Sequence, residues 1–382
     1  MSRSVEILAE LVGFETVSRT PNMALMERAQ TLLEAAGART RMVPFREGRA
    51  NLWATVGPEG PGGTMLSGHT DVVPVEGQPW TKPPFRLTAE GGRLYGRGTC
   101  DMKGFVACAM AAAERAARRE LRTPLHLALS CDEEVGCLGV RPLIDMIEEA
   151  PQRPGFVIVG EPTGLAVATG HKGKTALRAR FSGREGHSAL APLALNALHL
   201  AAEFVQAVRA AQAEIAEGGA RDGDYDVPYT TLHVGTLSGG SALNIVPNRA
   251  EAAFEIRALA EDDPQAILAR LRAEAEAIAA RAEDADAAIE IETEFAYPGL
   301  ATPTDAEVVS FVKRLTGANA TIKVAYGTEG GLFAERLGLP VVVCGPGSMA
   351  QGHKADEFVT EEQIARCDAM LDALIDRLEA GA

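Results

Sequence analysis

Four short apolar stretches of the sequence run directly into residues that can bind a metal ion. They are residues 64–67, 125–130, 156–159 and 341–343, and helical patterns such as the Ala-rich segment 102–120 lie between them. This alternation is typical of an α/β fold built on a parallel or mixed sheet. Open sheets of this kind place their ligand sites beyond the carboxyl ends of their strands. The sequence therefore predicts one polar site at that edge of the sheet.

The middle of the chain has a different rhythm. Strand-like and helical patterns follow one another there as strand, helix, strand, strand, helix, strand, which is the ferredoxin-like βαββαβ order. We therefore expect an α/β domain formed by residues 1–174 and 291–382, with a ferredoxin-like domain inserted at residues 175–290. A chain of 382 residues is long enough for two domains.

Charge and composition exclude several classes of partner. The net charge of −15 at pH 7 argues against nucleic acid and anionic membranes, since both need clustered Lys and Arg. The first twelve residues include Glu6 and Glu10, which interrupt any signal-peptide core, and no stretch has the roughly 20 apolar residues of a membrane span. Six cysteines without a CxxC pair fit reduced thiols. These features predict a cytoplasmic protein.

His69 and Asp71 follow the first apolar stretch, two residues apart. On an extended segment this spacing puts both side chains on the same side. A carboxylate beside a metal-binding imidazole commonly accepts a hydrogen bond from its other N–H. We therefore assign His69 as a metal ligand and Asp71 as the residue that orients it. Taken alone, such a pair more often forms a hydrogen-bonded turn.

Acidic residues and a second histidine follow the other stretches. Asp101 precedes the Ala-rich segment, where an aspartate taken singly caps a helix more often than it binds a metal. Three consecutive acids, Asp132 to Glu134, follow the second stretch. Acids this close repel one another and a divalent metal would offset the repulsion, although a lone acidic triplet is usually a solvated loop. Glu161 and His353 follow the third and fourth stretches.

Two imidazoles and at least four carboxylates favour zinc, manganese or cobalt over calcium, which prefers oxygen ligands alone. Together these segments resemble the metallopeptidase family that contains acetylornithine deacetylase, succinyl-diaminopimelate desuccinylase, aminoacylase and related carboxypeptidases. The resemblance covers essentially the whole chain. It implies amide hydrolysis at a site with two divalent metal ions, with zinc expected and cobalt able to replace it.

Carried over residue by residue, the resemblance implies a role for each acid and imidazole. Asp101 would bridge the two metals. The other ligands would be His69 and Glu161 on one metal, and Glu134 and His353 on the other. Glu133 would be the general base, taking a proton from water and handing it to the departing amine.

The inserted domain contributes further candidates through the same resemblance. His187 would stabilise the oxyanion, and Asn244 and Arg257 would hold the α-carboxylate of the substrate. Each could instead be structural, Arg257 as the partner of a nearby Glu. The family also uses this domain for dimerisation, so we expect a homodimer in which His187 acts on the partner's site or after closure of the domain.

The stretch Gly327-Thr328-Glu329 resembles the acetylornithine deacetylases more than the desuccinylases. Glu329 would meet the cationic side chain of ornithine, which makes N-acetylornithine the expected small-molecule substrate. Gly330 and Ala355 depart from the usual pattern and leave a desuccinylase, another N-acyl-amino-acid hydrolase or a dipeptidase as alternatives. A binding protein without catalysis is a further alternative, which the intact Glu133 and ligand positions disfavour.

Overall fold

The computed structural model of the chain describes residues 1–151 and 153–381. It divides into two compact units, which are Met1–Gly170 with Leu300–Val324 and Thr328–Ala382, and His171–Gly299 with Ala325–Gly327. The helices within the described residues are α1 (Arg3–Val12), α2 (Met23–Ala35), α3 (Lys103–Ala116), α4 (Arg141–Glu149), α5 (Ala197–Gly218), α6 (Pro264–Arg281), α7 (Glu307–Thr316), α8 (Gly330–Leu337) and α9 (Glu361–Ala380), with a short 3-10 helix at Ser188–Leu193.

The strands are shorter and more numerous than the helices. Over the same described residues they are β1 (Arg39–Arg46), β2 (Arg49–Val56), β3 (Thr64–His69), β4 (Thr88–Glu90), β5 (Arg93–Tyr95), β6 (Leu125–Ser130), β7 (Phe156–Pro162), β8 (Val167–His171), β9 (Gly173–Ser182), β10 (Gly186–His187), β11 (Thr231–Gly239), β12 (Ile245–Val246), β13 (Arg249–Ala258), β14 (Ala288–Tyr297), β15 (Leu300–Ala301), β16 (Thr321–Val324), β17 (Val341–Gly345) and β18 (Phe358–Thr360).

The first unit is built on a mixed sheet with the strand order β1-β2-β6-β3-β7-β17-β8-β15, and β16 pairs with β8. Its four central strands β6, β3, β7 and β17 are mutually parallel. They are the four apolar stretches of the sequence, so the predicted α/β fold is confirmed. Because neighbouring parallel strands end at the same edge, the residues that follow them are brought together there.

Helix α3 packs against the centre of this sheet, and two glycines allow it to come close. A Cβ atom at Gly68 would lie 3.0 Å from Cγ2 of Val106, and one at Gly160 would lie 1.9 Å from the ring of Phe105. Each glycine stands directly before a predicted metal ligand. The missing side chains therefore let the helix approach the strands at the point where the ligands emerge.

The same side of the first unit is completed by α1 and α9, whose apolar residues share one core with α3. Each of these two helices is preceded by a residue type that is favoured at a helix N-cap. The hydroxyl of Ser2 accepts a hydrogen bond from the backbone N–H of Val5, and the hydroxyl of Thr360 accepts one from that of Gln363. A buried apolar stripe and a capped N-terminus together explain why these segments are helical.

The second unit is a four-stranded antiparallel sheet with the order β11-β13-β9-β14. With α5 after β9 and α6 after β13, this is the ferredoxin-like arrangement. Alternate residues of β13 are buried, and Phe254 packs edge-on against Phe204 of α5 with ring centroids 5.4 Å apart. The boundaries expected at residues 175 and 290 fall inside β9 and β14, which extend from Gly173 and to Tyr297.

No described helix is both long enough and apolar enough to cross a membrane. All six cysteines are buried free thiols.

Candidate active site

Asp101 lies between two imidazoles at the carboxyl edge of the large sheet. Its Oδ1 atom is 3.0 Å from Nε2 of His69, and its Oδ2 atom is 3.1 Å from Nε2 of His353. Helix α3 begins after Met102 without a side-chain cap, so the alternative role of Asp101 as a helix cap is not used. A buried carboxylate whose two oxygens face different imidazoles has the geometry that a ligand bridging two metals needs.

Each imidazole has a further carboxylate beside it. Nε2 of His69 lies 3.5 Å from Oε1 of Glu161, and Nε2 of His353 lies 3.0 Å from Oε2 of Glu134. These are the partners that the resemblance gave to each histidine. Among the residues that the structure describes, potential ligand atoms also lie within 4.8 Å of one another in two sets of three that share His69. One set holds Glu133 and Glu161, the other Asp101 and Glu134.

The carboxylates of this cluster are buried close together. Burial raises the pKa of Glu133 and of Glu161 well above the ordinary value, and the neighbouring acids add to the effect. Burial and the charge of Asp101 together raise the pKa of Glu134 to about 7. These carboxyl groups can therefore all be ionised together only when positive charge lies close to them.

The neighbouring carboxylates in turn raise the pKa values of the two imidazoles. Hydrogen bonds to Asp101 and Glu134 raise the pKa of His353 to about 10. Burial opposes protonation of His69, but its pKa is still raised by the hydrogen bond with Asp101 and by nearby acids. Burial would raise the pKa of Asp101, yet the two imidazoles hold it below its ordinary value. Two imidazoles facing an excess of carboxylates are a donor set that fits divalent cations of the zinc class.

The Asp71 side chain makes other contacts than the hydrogen bond to His69 that the spacing of the two residues predicted. Nδ1 of His69 bonds the backbone carbonyl of Asp71 at 2.9 Å, and the nearest carboxylate oxygen lies at 3.7 Å. The carboxylate instead accepts hydrogen bonds from the backbone N–H groups of Glu133 at 3.0 Å and Glu134 at 3.3 Å, and from the hydroxyl of Ser18 at 2.7 Å. The prediction that the Asp71 carboxylate accepts a hydrogen bond from the His69 imidazole is therefore wrong. The carboxylate faces these three donors instead, and Nδ1 of His69 faces the backbone carbonyl of Asp71.

The acidic triplet divides into one structural residue and two residues of the cluster. Asp132 pairs with Arg49 and accepts a hydrogen bond from the backbone N–H of Arg19 at 2.8 Å. It also takes a left-handed backbone conformation, with a φ of 51°. Glu133 and Glu134 then face the site, and the thiol of Cys137 donates to Oε1 of Glu133 at 3.2 Å.

Glu329 lies in the first unit, immediately before α8, and is 2% exposed. Its Oε2 atom accepts a hydrogen bond from the hydroxyl of Ser67 at 3.2 Å. Burial raises the pKa of Glu329 to about 7, against the effect of neighbouring hydroxyls and of His69. A nearby cation would favour the ionised form of this carboxyl.

The other three predicted residues belong to the second unit. His187 is exposed in β10, and its Nδ1 atom accepts a hydrogen bond from the backbone N–H of Ala189 at 3.1 Å. Asn244 is also exposed, and its backbone carbonyl accepts a hydrogen bond from the backbone N–H of Ser188, the residue after His187, at 3.0 Å. The structure thus brings His187 and Asn244 together. Arg257 lies in the sheet and pairs with Glu255 at 3.0 Å, the kind of partner anticipated for a structural role.

Sequence reasoning missed Glu357, which holds the backbone at Asp101. Its Oε1 atom accepts hydrogen bonds from the backbone N–H groups of Cys100 at 2.9 Å and Asp101 at 3.0 Å. The residue lies four positions after His353 in a polar stretch that reads as a solvated loop. The sequence signal for this residue is its nearness to His353.

Comparison with known proteins gives a consistent result. Residues 65–377 match Peptidase family M20/M25/M40. An acetylornithine deacetylase of Myxococcus xanthus is 36% identical over 95% of this chain and 94% of that protein. One from Pasteurella multocida is 34% identical over 94% and 92%. Among solved structures, an M20-family metallo-carboxypeptidase from Sulfolobus solfataricus superposes with a TM-score of 0.80 at 19% identity, covering 100% of both chains.

The fold and the donor set of the site define a metal-dependent amidohydrolase. The family match, together with relatives above 30% identity over most of the chain, makes the assignment specific. The chain belongs to peptidase family M20.

Proposed function

We propose that this protein is a zinc-dependent deacetylase that hydrolyses N-acetyl-L-ornithine to L-ornithine and acetate, as a cytoplasmic step of arginine biosynthesis. The observation that carries the reaction is the Asp101 carboxylate between two imidazoles, with Glu133 in the same cluster. The substrate is supported by the relatives named acetylornithine deacetylase, which match 95% and 94% of the chain.

The site would hold two divalent ions. Asp101 would be shared between them, with His69 and Glu161 on one ion and Glu134 and His353 on the other. A peptidase of this family from Bacillus subtilis, with a TM-score of 0.70 to this chain, is described as binding a dinuclear metal centre, which supports the number of ions. Bound there, the ions would polarise the amide carbonyl and make a water molecule more acidic.

Glu133 carries the protons of the reaction. Its carboxylate takes one proton from the attacking water and delivers it to the amide nitrogen, so that the C–N bond breaks and the amine leaves. The Cys137 thiol at 3.2 Å helps to fix its orientation, and Asp71 holds its backbone at 3.0 Å. Both contacts act before substrate arrives, which keeps the proton carrier in one position.

Four residues would recognise the substrate. Arg257 and Asn244 would hold the α-carboxylate, since a guanidinium pairs with a carboxylate through two parallel hydrogen bonds. Glu329 would face the ornithine ammonium, which would favour its ionised form. His187 would donate a hydrogen bond to the oxygen that becomes negative as water attacks.

The second unit would form a homodimer. Six large apolar side chains of this unit are exposed, namely Leu190, Leu193, Val227, Leu237, Leu243 and Ile245. β11 is an edge strand of the antiparallel sheet and carries Leu237. Exposed apolar side chains beside an unpaired strand edge support association with a second copy.

A substrate panel tests this function. The enzyme is stripped of metal, reloaded with zinc or cobalt, and assayed on N-acetylornithine, succinyl-diaminopimelate, an N-acetylated neutral amino acid and a set of dipeptides. We expect the highest kcat/KM for N-acetylornithine. A higher value for succinyl-diaminopimelate or a dipeptide would overturn the substrate assignment. Metal-loaded protein that binds but does not turn over any member of the panel would be a binding protein.

A further inference from the structure

A fully buried ion pair lies beside the proposed metal site and takes no part in the chemistry described above. Nη1 of Arg97 is 2.6 Å from Oε2 of Glu357, and each side chain is 1% exposed. The two residues are 260 positions apart in the chain. Burying two charges is costly unless their remaining hydrogen-bonding groups are also satisfied, so the other contacts of this pair indicate what it is for.

Glu357 uses its other oxygen on the backbone of the proposed bridging ligand. Oε1 accepts hydrogen bonds from Cys100 at 2.9 Å and Asp101 at 3.0 Å. Burial and the charge of Asp101 raise the pKa of Glu357, while the charge of Arg97 and hydrogen bonds from the backbone N–H groups of Asp101 and Gly98 oppose this rise. The carboxylate thus fixes the turn that leads into α3, and with it the position of the Asp101 side chain.

Arg97 reaches the other side of the site through Gln78. Its Nη2 atom donates to Oε1 of Gln78 at 2.5 Å, and Nε2 of Gln78 donates to the backbone carbonyl of His353 at 3.1 Å. The Arg97 guanidinium also lies over the ring of Trp80, 5.0 Å from its centroid. One guanidinium is therefore connected to the segments that carry Asp101 and His353.

The His353 segment needs such support. His353 has a φ of 60° and Asp356 a φ of 53°, in the left-handed region that residues other than glycine adopt at a cost. His353 also lies in a stretch of turns between β17 and β18, outside any regular element. In this backbone conformation the imidazole of His353 faces both Asp101 and Glu134.

We propose that Arg97, Glu357 and Gln78 form a positioning relay that holds His353 in place relative to Asp101 and thereby sets the affinity of one of the two metal positions. The relay rests on the proposed metal-dependent function. It acts on the position shared by His353, Glu134 and Asp101 more than on the position completed by His69 and Glu161, since only His353 receives the Gln78 hydrogen bond.

Two substitutions interrupt the relay at different links. In Glu357→Gln, a side-chain amide N–H2 facing Arg97 puts donor against donor, while the amide oxygen can still accept from Cys100 and Asp101. In Gln78→Glu, the carboxylate still accepts from Arg97 but can no longer donate to the carbonyl of His353. Gln78 is only partly buried, so this second variant preserves the fold even where a changed buried ion pair does not.

The test is the affinity of the metal-free protein for cobalt alone, measured by chelator competition and by the visible absorption of bound Co²⁺. His353→Ala and His69→Ala serve as references for loss of each position. We expect both relay variants to bind one ion about 10–100-fold more weakly, the range typical for partners that orient ligands. The spectrum of the remaining ion should match that of His353→Ala.

Arg115→Gln is the matched control. It removes an arginine that pairs with Asp368 and Asp372 between α3 and α9, away from every ligand, and it should leave both affinities unchanged. Wild-type affinities for both ions in Gln78→Glu would overturn the relay. An equal loss at both positions would do the same, since it would show general destabilisation. Wild-type protein that binds fewer than two ions would overturn the proposed site itself.

Discussion

Glu133 and Glu134 are adjacent acids with different proposed duties, and one substitution separates them. Glu133→Gln keeps the size of the side chain and removes its ability to carry a proton. We expect turnover of N-acetylornithine to fall by on the order of 10²–10⁴-fold, the usual cost of losing a general base. The metal content, measured by elemental analysis, should remain at the wild-type level.

The control is Glu134→Gln, which should lose metal together with activity. This comparison is sharp because Glu133 also lies in a set of potential ligand atoms with His69 and Glu161. If Glu133→Gln loses metal and Glu134→Gln keeps it, the two duties are interchanged. Wild-type rates in Glu133→Gln would remove the residue from proton transfer.

Glu329 is the residue on which we expect the choice of substrate to depend most. The substitution Glu329→Gln removes a negative charge that only a cationic substrate side chain can use. We expect kcat/KM for N-acetylornithine to fall by at least tenfold more than kcat/KM for an N-acetylated neutral amino acid. A difference of tenfold corresponds to about 1.4 kcal/mol, which a partly desolvated charge pair readily supplies.

The exposed acid Glu335, on α8, supplies the matched control for that experiment. Glu335→Gln makes the same change of charge in the same region of the chain and should leave kcat/KM unchanged for both substrates. Equal losses on both substrates in Glu329→Gln would assign the carboxylate to the structure of the site, through its hydrogen bond with Ser67.

At the level of single residues, the sequence predicted which residues lie together better than it predicted which of their atoms make the contacts. The His69-to-Asp71 spacing predicted that the two residues lie together, and they do. It could not predict that the Asp71 carboxylate would bind the backbone of Glu133, because that contact needs a loop 62 positions further along the chain. Nor could the triplet of acids reveal that Asp132 pairs with Arg49.

At the level of elements, the parallel strands explain why the cluster was predictable. β3, β6 and β7 are neighbours and parallel, so His69, the acids after β6, and Glu161 must meet at one edge whatever the loops do. The Arg97–Glu357 pair lies beside two paired strands, since Tyr95 at the end of β5 pairs with Phe358 at the start of β18. Strands of three residues are too short for hydrophobic periodicity to reveal, so this pair could not be predicted in the same way.

His126, on β6, gives a prediction for stability against pH. It is buried, stacks on Trp53 with ring centroids 4.9 Å apart and bonds the hydroxyl of Thr55 at 3.0 Å. Burial lowers the pKa of His126 to about 4, whereas an unfolded histidine has a pKa of about 6.5. The unfolded state therefore binds the proton more readily. The contribution to stability is present above pH 6.5 and is lost as the pH falls towards 4.

The measurement compares the free energy of unfolding of wild type and His126→Gln, both metal-free, between pH 7 and pH 4. Wild type should lose on the order of 3 kcal/mol more than the variant over this range. His171, whose pKa burial also lowers to about 4, titrates in both proteins and cancels from the difference. Parallel curves for the two proteins would show that His126 keeps its ordinary pKa when folded.

At the level of the whole molecule, the alternation of strand and helix patterns was sufficient to separate the ferredoxin-like arrangement from the large sheet. The exact limits were not predictable, because β9 and β14 pair as continuous strands across residues 175 and 290 without a break in composition. Sequence patterns also gave no geometry for His187, Asn244 and Arg257. Their roles remain predictions that functional experiments must test.

The position of His187 leads to the last prediction, which concerns the dimer. His187 is exposed in the second unit, as are the apolar side chains of Leu190 and Leu193 shortly after it. In a symmetric dimer formed through this unit, His187 of one protomer would donate its hydrogen bond in the proposed metal site of the partner. Removing one oxyanion donor typically costs about 10²–10³-fold in kcat, so His187→Ala should be nearly inactive, as should Glu133→Gln.

Mixing these two inactive variants tests whether the histidine acts between protomers. Subunits are exchanged under mild denaturation, and heterodimers are purified through two different affinity tags. If His187 acts on the partner's site, each heterodimer has one site with both wild-type residues, so about half of the wild-type rate per dimer should return, because one of the two sites is restored. Purified heterodimers that stay inactive would show that His187 serves its own protomer. A protein that is monomeric at assay concentration would exclude the shared site altogether, since no partner would then be present to supply the donor.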